Sequence, residues 1–175
     1  MARSKSSRRT VVSKTIFCTN RKNYIHIDGT VVKTNISTEN GKVANYETGY
    51  SIALHNHEHK DREDAVVYLD PSTALAMASH ILDQLAGVVE GSFETLIGNG
   101  GNHTLIAGRL NQREGVSIII GPIETFVELG ANGLRGFAEL MKVVVSNVEA
   151  KMIDAKSKDD YKKWQASQKT RVDND

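Results

Sequence analysis

The sequence is poor in the residues that cross-link a chain or anchor it in a membrane. It has a single cysteine, Cys18, so no disulfide can form within the chain. A lone thiol is typical of a reducing compartment, and we therefore expect a cytoplasmic protein. No run approaches the roughly 18 apolar residues of a transmembrane helix, and no hydrophobic segment follows the charged N-terminus as in a secretory signal. The sequence predicts no membrane association.

Motifs for catalysis are also missing. There is no G-x-S-x-G nucleophile motif, and Cys18 has no catalytic motif around it. The glycine-rich segment 98–102 follows a predicted strand, but it lacks the lysine and hydroxyl residue of a phosphate-binding loop. Carboxylates are scattered along the chain. The sequence therefore predicts a protein that is not an enzyme, with no catalytic residue and no cofactor.

Positive charge is concentrated at the N-terminus. The whole chain has a net charge of +1, yet residues 1–14 contain no acid, so the rest is net negative. We expect residues 1–10 to form a basic flexible tail that attracts phosphate groups. A purely solubilising tail and an organellar transit peptide are the alternatives. The basic residues of this segment are Arg3, Lys5, Arg8, Arg9 and Lys14.

The first half of the chain has the pattern of β-strands. Alternation of polar and apolar residues and an excess of β-branched and aromatic residues favour extended structure. Asn40-Gly41 is a hairpin signal, because a type I′ turn requires two residues with positive φ. We expect His55–Asp64 to be a charged loop. The predicted strands are Val11–Phe17, Tyr24–Ile27, Thr30–Ile36, Tyr46–Leu54 and Ala65–Leu69.

A helix follows these strands, and the second half of the chain repeats the plan. Asp70 can cap the helix, Pro71 suits its first position, and Gly87 is a plausible end. The second helix is expected to begin at Asn132 and to run towards Trp164, with residues 165–175 frayed. The predicted strands between the helices are Phe93–Ile97, His103–Leu110, Val116–Ile120 and Thr125–Leu129.

The two strand-to-helix junctions match at an offset of 60 residues. Val67–Ala78 and Val127–Ala138 share valine, leucine and alanine in register. We therefore predict an α+β fold of two strands-then-helix units, with antiparallel sheets and helices packed on one side. Residues 11–153 form one domain with pseudo-repeats at about 11–90 and 91–153, and 154–175 form a charged helical extension and tail.

The segment His55-Asn56-His57-Glu58-His59 is a possible metal site. Alternate residues of a strand share one face, so His55, His57 and His59 could converge on a zinc ion. A polar hairpin tip exposed to solvent is the alternative, and it agrees with the charged residues that follow.

Aromatic and basic residues are interleaved along the first-half strands. Unpaired bases stack on rings while cations neutralise phosphates, so this pattern is typical of a single-strand nucleic-acid platform. Aromatic residues also favour strands for packing reasons, which leaves a core role open for each ring. The rings are Phe17, Tyr24, Tyr46 and Tyr50, and the cations are Arg21, Lys22, Lys33 and Lys42.

With its two junctions, Val67–Ala78 and Val127–Ala138, and the strands before each, the chain resembles the Whirly and Pur-repeat group of single-stranded nucleic-acid-binding proteins. The resemblance is one of architecture and covers residues 11–153. It implies that single strands bind on the sheet faces, that the helices pack on the other side, and that the protein self-associates.

The sequence thus supports three functional hypotheses. The first is a non-catalytic protein that binds single-stranded DNA or RNA and forms a homo-oligomer. The second is an accessory or inhibitor factor, for example viral or encoded by a mobile element, that binds a protein partner or a small ligand. The third is a small metal-dependent enzyme that uses the histidines of residues 55–59.

Overall fold

The structure is a computed structural model that describes residues 6–17, 22–38, 41–57, 64–98 and 102–172. Side chains are described for residues 12–16, 22–36, 41–57, 64–98 and 102–167. In chain order the elements are β1 (Ser6–Phe17), β2 (Tyr24–Thr38), β3 (Gly41–His55), β4 (Ala65–Leu69), α1 (Pro71–Leu85), β5 (Phe93–Ile97), β6 (His103–Leu110), β7 (Arg113–Ile120), β8 (Ile123–Glu128) and α2 (Gly130–Val172).

The strands form two antiparallel sheets. The first sheet has the order β1-β2-β3-β4 and the second has the order β5-β6-β7-β8. Each strand pairs with its neighbour in sequence, which is the simplest topology for strands joined by short turns. One helix follows each sheet. The predicted α+β fold of two strands-then-helix units is confirmed.

Three strands of the first sheet, β1, β2 and β3, are longer than the sequence predicted. Residues 24–38 form one continuous strand instead of two, because β3 is equally long and pairs with β2 from Tyr24↔His55 to Thr38↔Gly41. Strand β1 begins at Ser6, inside the predicted tail of residues 1–10, because Ser6 to Thr10 pair with the outer half of β2. The predicted boundary between tail and domain is therefore wrong. A hairpin between β2 and β3 is confirmed by their pairing, in which Gly41 already pairs with Thr38, whereas Asn40 lies outside the described residues.

The two helices begin differently. Asp70 caps α1, as predicted: its Oδ1 accepts a hydrogen bond from the Thr73 N–H at 2.8 Å, and Pro71 is the first helical residue. Helix α2 begins at Gly130, so the prediction of Asn132 as its cap is wrong. It also continues beyond Trp164, through most of the predicted frayed region, to Val172. Within the described residues, no helix has the length and apolarity needed to cross a membrane.

The 60-residue offset is visible in the pattern of burial. Ala65, Val67 and Leu69 are buried before α1, and Thr125, Val127 and Leu129 are buried at the same offset before α2. On the helices, each buried position of α1 has a buried counterpart 60 residues later on α2. The pairs are Ala74 with Leu134, Met77 with Phe137, Ala78 with Ala138, Ile81 with Met141, and Gln84 with Val144.

Each helix packs against the sheet of the other unit. Helix α1 contacts β5 and β6 of the second sheet, whereas α2 contacts β1, β2 and β3 of the first sheet. The second strand of each sheet has a glycine where the helix approaches closely. A Cβ at Gly29 of β2 would collide with Val148 of α2, and one at Gly108 of β6 would collide with the Gln84 side chain of α1. Residues from both sheets and both helices form one core.

Candidate nucleic-acid interface

The two faces of the first sheet have different surroundings. Side chains alternate along a strand, so Ile25, Ile27 and Gly29 of β2 point towards α2, where the isoleucines are fully buried. The residues between them lie on the opposite surface, which we call the open face. On β2 the open face comprises Tyr24, His26, Asp28, Thr30, Val32, Thr34 and Ile36; on β3 it comprises Val43, Asn45, Glu47, Gly49, Ser51, Ala53 and His55; on β4 it comprises Val66 and Tyr68.

Aromatic rings cluster at one end of the open face. Tyr24 and His55 are cross-strand partners, and their rings stack with centroids 4.2 Å apart at an angle of 16°. The His57 ring is 5.8 Å from the Tyr24 ring, and the His57 backbone N–H donates a 3.0 Å hydrogen bond to Asn23 Oδ1. Asp64 Oδ2 lies 2.8 Å from His55 Nδ1. These contacts hold the Tyr24 ring in a fixed orientation at the surface.

A polar group next to this cluster is centred on His26. Its Nδ1 lies 2.9 Å from Thr15 Oγ1, and its Nε2 lies 2.9 Å from Ser13 Oγ and 3.2 Å from Asp28 Oδ1. The group combines two hydroxyls, an imidazole and a carboxylate, which can donate and accept hydrogen bonds.

Tyr68 is the most exposed ring of the open face. It lies on β4 opposite Ser51, and 60% of the residue is exposed. Its neighbours across the ladder on β3 are small and uncharged: Gly49, Ser51 and Ala53. High exposure and small neighbours on β3 make Tyr68 a candidate contact for a flat ligand such as a base.

Tyr46, Tyr50 and Lys33 lie on the other face of the sheet, against α2. Lys33 Nζ and the Tyr46 hydroxyl both donate hydrogen bonds to Asp159 Oδ2. These bonds lower the pKa of Asp159, and the Asp159 carboxylate raises the pKa of Lys33. The prediction that these three residues share a surface with Tyr24 is therefore wrong. Each of the three is an odd number of residues from Tyr24 on β2 or from its partner His55 on β3. Its side chain therefore points to the opposite face of the sheet.

A second carboxylate of α2 holds the same face. Glu149 Oε1 accepts hydrogen bonds from the Thr48 hydroxyl and, at 2.9 Å, from the Tyr50 hydroxyl. The Tyr50 side chain is fully buried, and this burial is the main reason that its pKa is raised. Burial is also the main cause of the raised pKa of Tyr46. Both tyrosines attach α2 to the sheet and cannot stack on a base.

The predicted basic residues are distributed around the first sheet instead of across it. Lys14 on the edge strand, Lys22 before β2 and Lys42 in the β2–β3 hairpin are exposed. Arg8 and Arg9 belong to β1 by their backbone, and Phe17 pairs with Tyr24, but the side chains of these three lie outside the described set. Arg3, Lys5 and Arg21 lie outside the described residues altogether.

The histidine segment is only partly described. His55 belongs to β3 and is mostly buried by Tyr24 and Asp64, so the prediction of a solvated tip is wrong for this residue. His59 lies outside the described residues. Among the residues that are described, no three histidine, cysteine or acidic side chains are grouped as a metal site requires. The three-histidine metal site remains a prediction.

The surface of the second sheet that corresponds to the open face is acidic and partly apolar. Glu94, Glu124 and Glu128 lie on this surface, together with Leu96, which is 67% exposed. The Arg113 guanidinium lies 4.3 Å above the Phe126 ring and 3.3 Å from Glu128 Oε2. These three carboxylates outnumber the single Arg113 guanidinium near them. The resulting negative charge makes this surface unfavourable for binding phosphate groups.

Sequence reasoning missed Tyr68 and His26. Both could have been found by extending the alternation of buried residues, since Tyr68 lies between two core residues, Val67 and Leu69, and must point the other way. Comparisons with known proteins add no assignment: no family model matches the chain, and no curated protein or solved structure shows significant similarity to it.

Proposed function

We propose that the protein is a non-catalytic, cytoplasmic, single-stranded nucleic-acid-binding protein that binds its ligand on the open face of the first sheet. The observation that carries the proposal is the set of surface rings on that face. Tyr24 is oriented by His55, and Tyr68 is exposed among small neighbours. An exposed ring can stack on a base of any identity, and each such stack contributes about 1–3 kcal/mol.

The spacing of the two tyrosines suits an extended strand. Tyr24 is on β2 and Tyr68 is on β4, two strand positions apart, and the cross-strand partners of the two rings, His55 and Ser51, are four residues apart on β3. With strand spacings of about 4.8 Å and a rise of about 3.4 Å per residue, the rings are roughly 16 Å apart. This distance leaves room for nucleotides between the two stacked bases, over Ala53 and His26.

Phosphate groups would be attracted from the margins of the face. Lys22 is two residues before Tyr24, while Lys14 on the edge strand and Lys42 in the hairpin are exposed at the periphery, in register with the side of the sheet that faces α2. Arg3 and Lys5 precede β1 in the sequence and add positive charge. Affinity should therefore have a salt-dependent part from these cations and a part that depends little on salt from the rings.

The test is fluorescence anisotropy with labelled single-stranded DNA and RNA oligonucleotides and with a duplex, at several salt concentrations. Tyr68→Ala should weaken binding about five- to 150-fold at every salt concentration, which corresponds to 1–3 kcal/mol. Tyr68→Phe keeps the ring and should bind like the unchanged protein. Leu96→Ala removes an equally exposed side chain from the second sheet and should have no effect.

Two results would overturn the proposal. One is the absence of any binding of single strands below about 10⁻⁴ M at moderate salt, the weak end of non-specific affinity. The other is equal loss of affinity in Tyr68→Ala and Leu96→Ala, which would show that the open face of the first sheet has no special role.

The acidic surface of the second sheet favours a second candidate function, binding of a basic protein partner in an accessory or inhibitor role. Leu96 is exposed next to Glu94 on this surface, a combination that suits an apolar partner surface rimmed by lysine or arginine. Replacing Glu94, Glu124 and Glu128 with lysine should abolish such an interaction. The same triple variant should still bind nucleic acid through the first sheet.

A further inference from the structure

Helix α2 extends well beyond the core. Val148 is its last fully buried residue, while Met152, Ala155 and Asp159 are half-buried against the first sheet. From 160 to 167 every residue is exposed, yet the helix continues to Val172. Isolated helical segments of this length are marginal in water. Residues 160–167 therefore lack the tertiary packing that normally stabilises a helix.

The exposed side of this extension carries an apolar stripe. At 100° per residue, its members fall within about 80° of arc, opposite the side that packs on the sheets. Ile153, Tyr161 and Trp164 are 61%, 58% and 56% exposed, and the Tyr161 and Trp164 rings stack with centroids 5.8 Å apart. The complete stripe is Val143, Ser146, Ala150, Ile153, Ser157, Tyr161 and Trp164.

We propose that this stripe pairs with the same stripe of a second copy of the chain, in an antiparallel arrangement centred on Ser157. Large and small residues alternate about that centre in a self-complementary way. Trp164 of one helix lies against Ala150 of the other, Tyr161 lies against Ile153, and the two Ser157 residues meet at the two-fold axis. Small residues opposite aromatic rings allow two helices to approach closely.

Charges beside the stripe are complementary in the same arrangement. Asp154 and Lys158 form an i,i+4 ion pair with 2.8 Å between Lys158 Nζ and Asp154 Oδ2. Because an antiparallel pair brings the same flank of both helices together, Asp154 of one copy faces Lys158 of the other and the reverse. A parallel pair brings opposite flanks together, so Asp154 and Lys158 of the two copies would lie on opposite sides of the interface and form no such ion pairs.

The contact between the two stripes is small, so we expect the dimer to be weak. Each copy supplies three large apolar side chains, and an aromatic side chain can bury at most about 150–250 Å². The total is on the order of 1,000 Å², the lower limit for a specific interface. We therefore expect a reversible dimer with a dissociation constant in the micromolar range. This inference is independent of nucleic-acid binding.

Sedimentation equilibrium of the full chain from about 1 to 200 μM tests the surface. The unchanged protein should pass from monomer to dimer in that range, and Tyr161→Ala should weaken the dimer at least tenfold. Tyr68→Ala removes a ring of equal exposure from the open face and should leave the dimer unchanged. A protein that stays monomeric to 200 μM, or an equal effect of both variants, would overturn the inference.

Cross-linking tests the orientation. In a Cys18→Ser background, Ser157→Cys should be cross-linked to its copy by a short bis-maleimide, because the two-fold axis passes through this position. Ala150→Cys should not, since two such residues would lie about 21 Å apart in the antiparallel pair. Cross-linking of both variants indicates a parallel pair, and cross-linking of neither indicates no helix pairing here; either result refutes the proposed arrangement.

Discussion

The two units of the chain share the same order of elements but differ in the lengths of their strands and helices. Both have four antiparallel strands and then a helix, with buried helix positions 60 residues apart. The first unit has strands of up to 15 residues and a helix of 15, whereas the second has strands of 5–8 residues and a helix of 43. The long strands of the first unit and the long helix of the second belong together, because α2 covers the first sheet.

Each helix approaches a glycine of the sheet that it packs on, but one of these two contacts is apolar and the other is polar. Where α2 approaches Gly29, Val144 and Val148 make an apolar contact. Where α1 approaches Gly108, the equivalent of Val144 is Gln84, whose Oε1 accepts a 2.8 Å hydrogen bond from the Arg109 N–H. Gly108 has φ of 132°, so the strand is distorted there and turns this N–H towards the helix. The second contact is therefore polar and depends on backbone shape.

Replacing the two glycines with alanine should give the largest difference in unfolding free energy between the two helix–sheet contacts. Gly108→Ala combines a disfavoured φ with a collision against Gln84 and should cost about 3 kcal/mol or more of unfolding free energy. Gly29→Ala meets only the ends of valine side chains and should cost about 1–3 kcal/mol. Adding Val148→Ala should recover stability in the Gly29 variant, whereas adding Gln84→Ala should not in the Gly108 variant. Urea unfolding measures all four, and rescue of the Gly108 variant would contradict the strain argument.

Exchanging the two equivalent helix residues tests the same comparison from the other side. Gln84→Leu keeps similar volume but leaves the Arg109 N–H buried without an acceptor, and it should cost about 1–3 kcal/mol. Val144→Gln places an amide in an apolar contact and should cost at least as much. Denaturant midpoints at equal slopes measure both effects. If either substitution left the unfolding free energy unchanged, the contact of α1 would not be polar, or that of α2 not apolar, as we infer.

The first turns of the two helices provide a matched pair of substitutions with a smaller effect on stability. Asp70→Ala removes the cap of α1 and should cost about 1 kcal/mol, whereas Asn132→Ala, inside α2 and exposed, should cost little. Hydrogen bonds from Ser72 and Thr73 lower the pKa of Asp70 from 3.8 to about 2. Asp70 therefore stabilises the fold above its unfolded pKa, and this contribution is lost as the pH falls from about 4 to 2.

Asp70→Asn distinguishes capping from charge, because asparagine caps helices without titrating. Its stability relative to the unchanged protein should be lowest near neutral pH and should rise between pH 4 and 2. Thermal unfolding across this range measures the difference, which solvent screening of the exposed carboxylate keeps to about 1 kcal/mol or less. A pH-independent difference would show that the Asp70 carboxylate does not act through its charge.

The smallest effect concerns the acidic surface of the second sheet. If nucleic acid binds the first sheet, replacing Glu94, Glu124 and Glu128 with glutamine should raise affinity by no more than about threefold at low salt, through long-range repulsion alone. The gain should vanish at high salt. Anisotropy titrations measure this, and an increase of tenfold or more would show that the second sheet also contacts the ligand.

Much of the fold follows from local features of the sequence. Capping by Asp70 and Pro71, a hairpin close to Gly41 and the alternation of the strands depend on residues close together in the chain, and these predictions agree with the structure. The start of α2 was misplaced because Asn132 has the side chain of a cap, while the strand before it ends at Glu128 and leaves Gly130 to begin the helix.

The candidate site could not be predicted as fully, because local sequence does not tell which face of a strand is covered. Tyr24 and Tyr46 look alike in sequence, yet one lies on the open face and the other donates a hydrogen bond to Asp159, 113 residues away. The sequence by itself determined two strands-then-helix units and where most elements lie. Only the tertiary structure decided which rings reach solvent, because that depends on where the helix of the second unit packs on the first sheet.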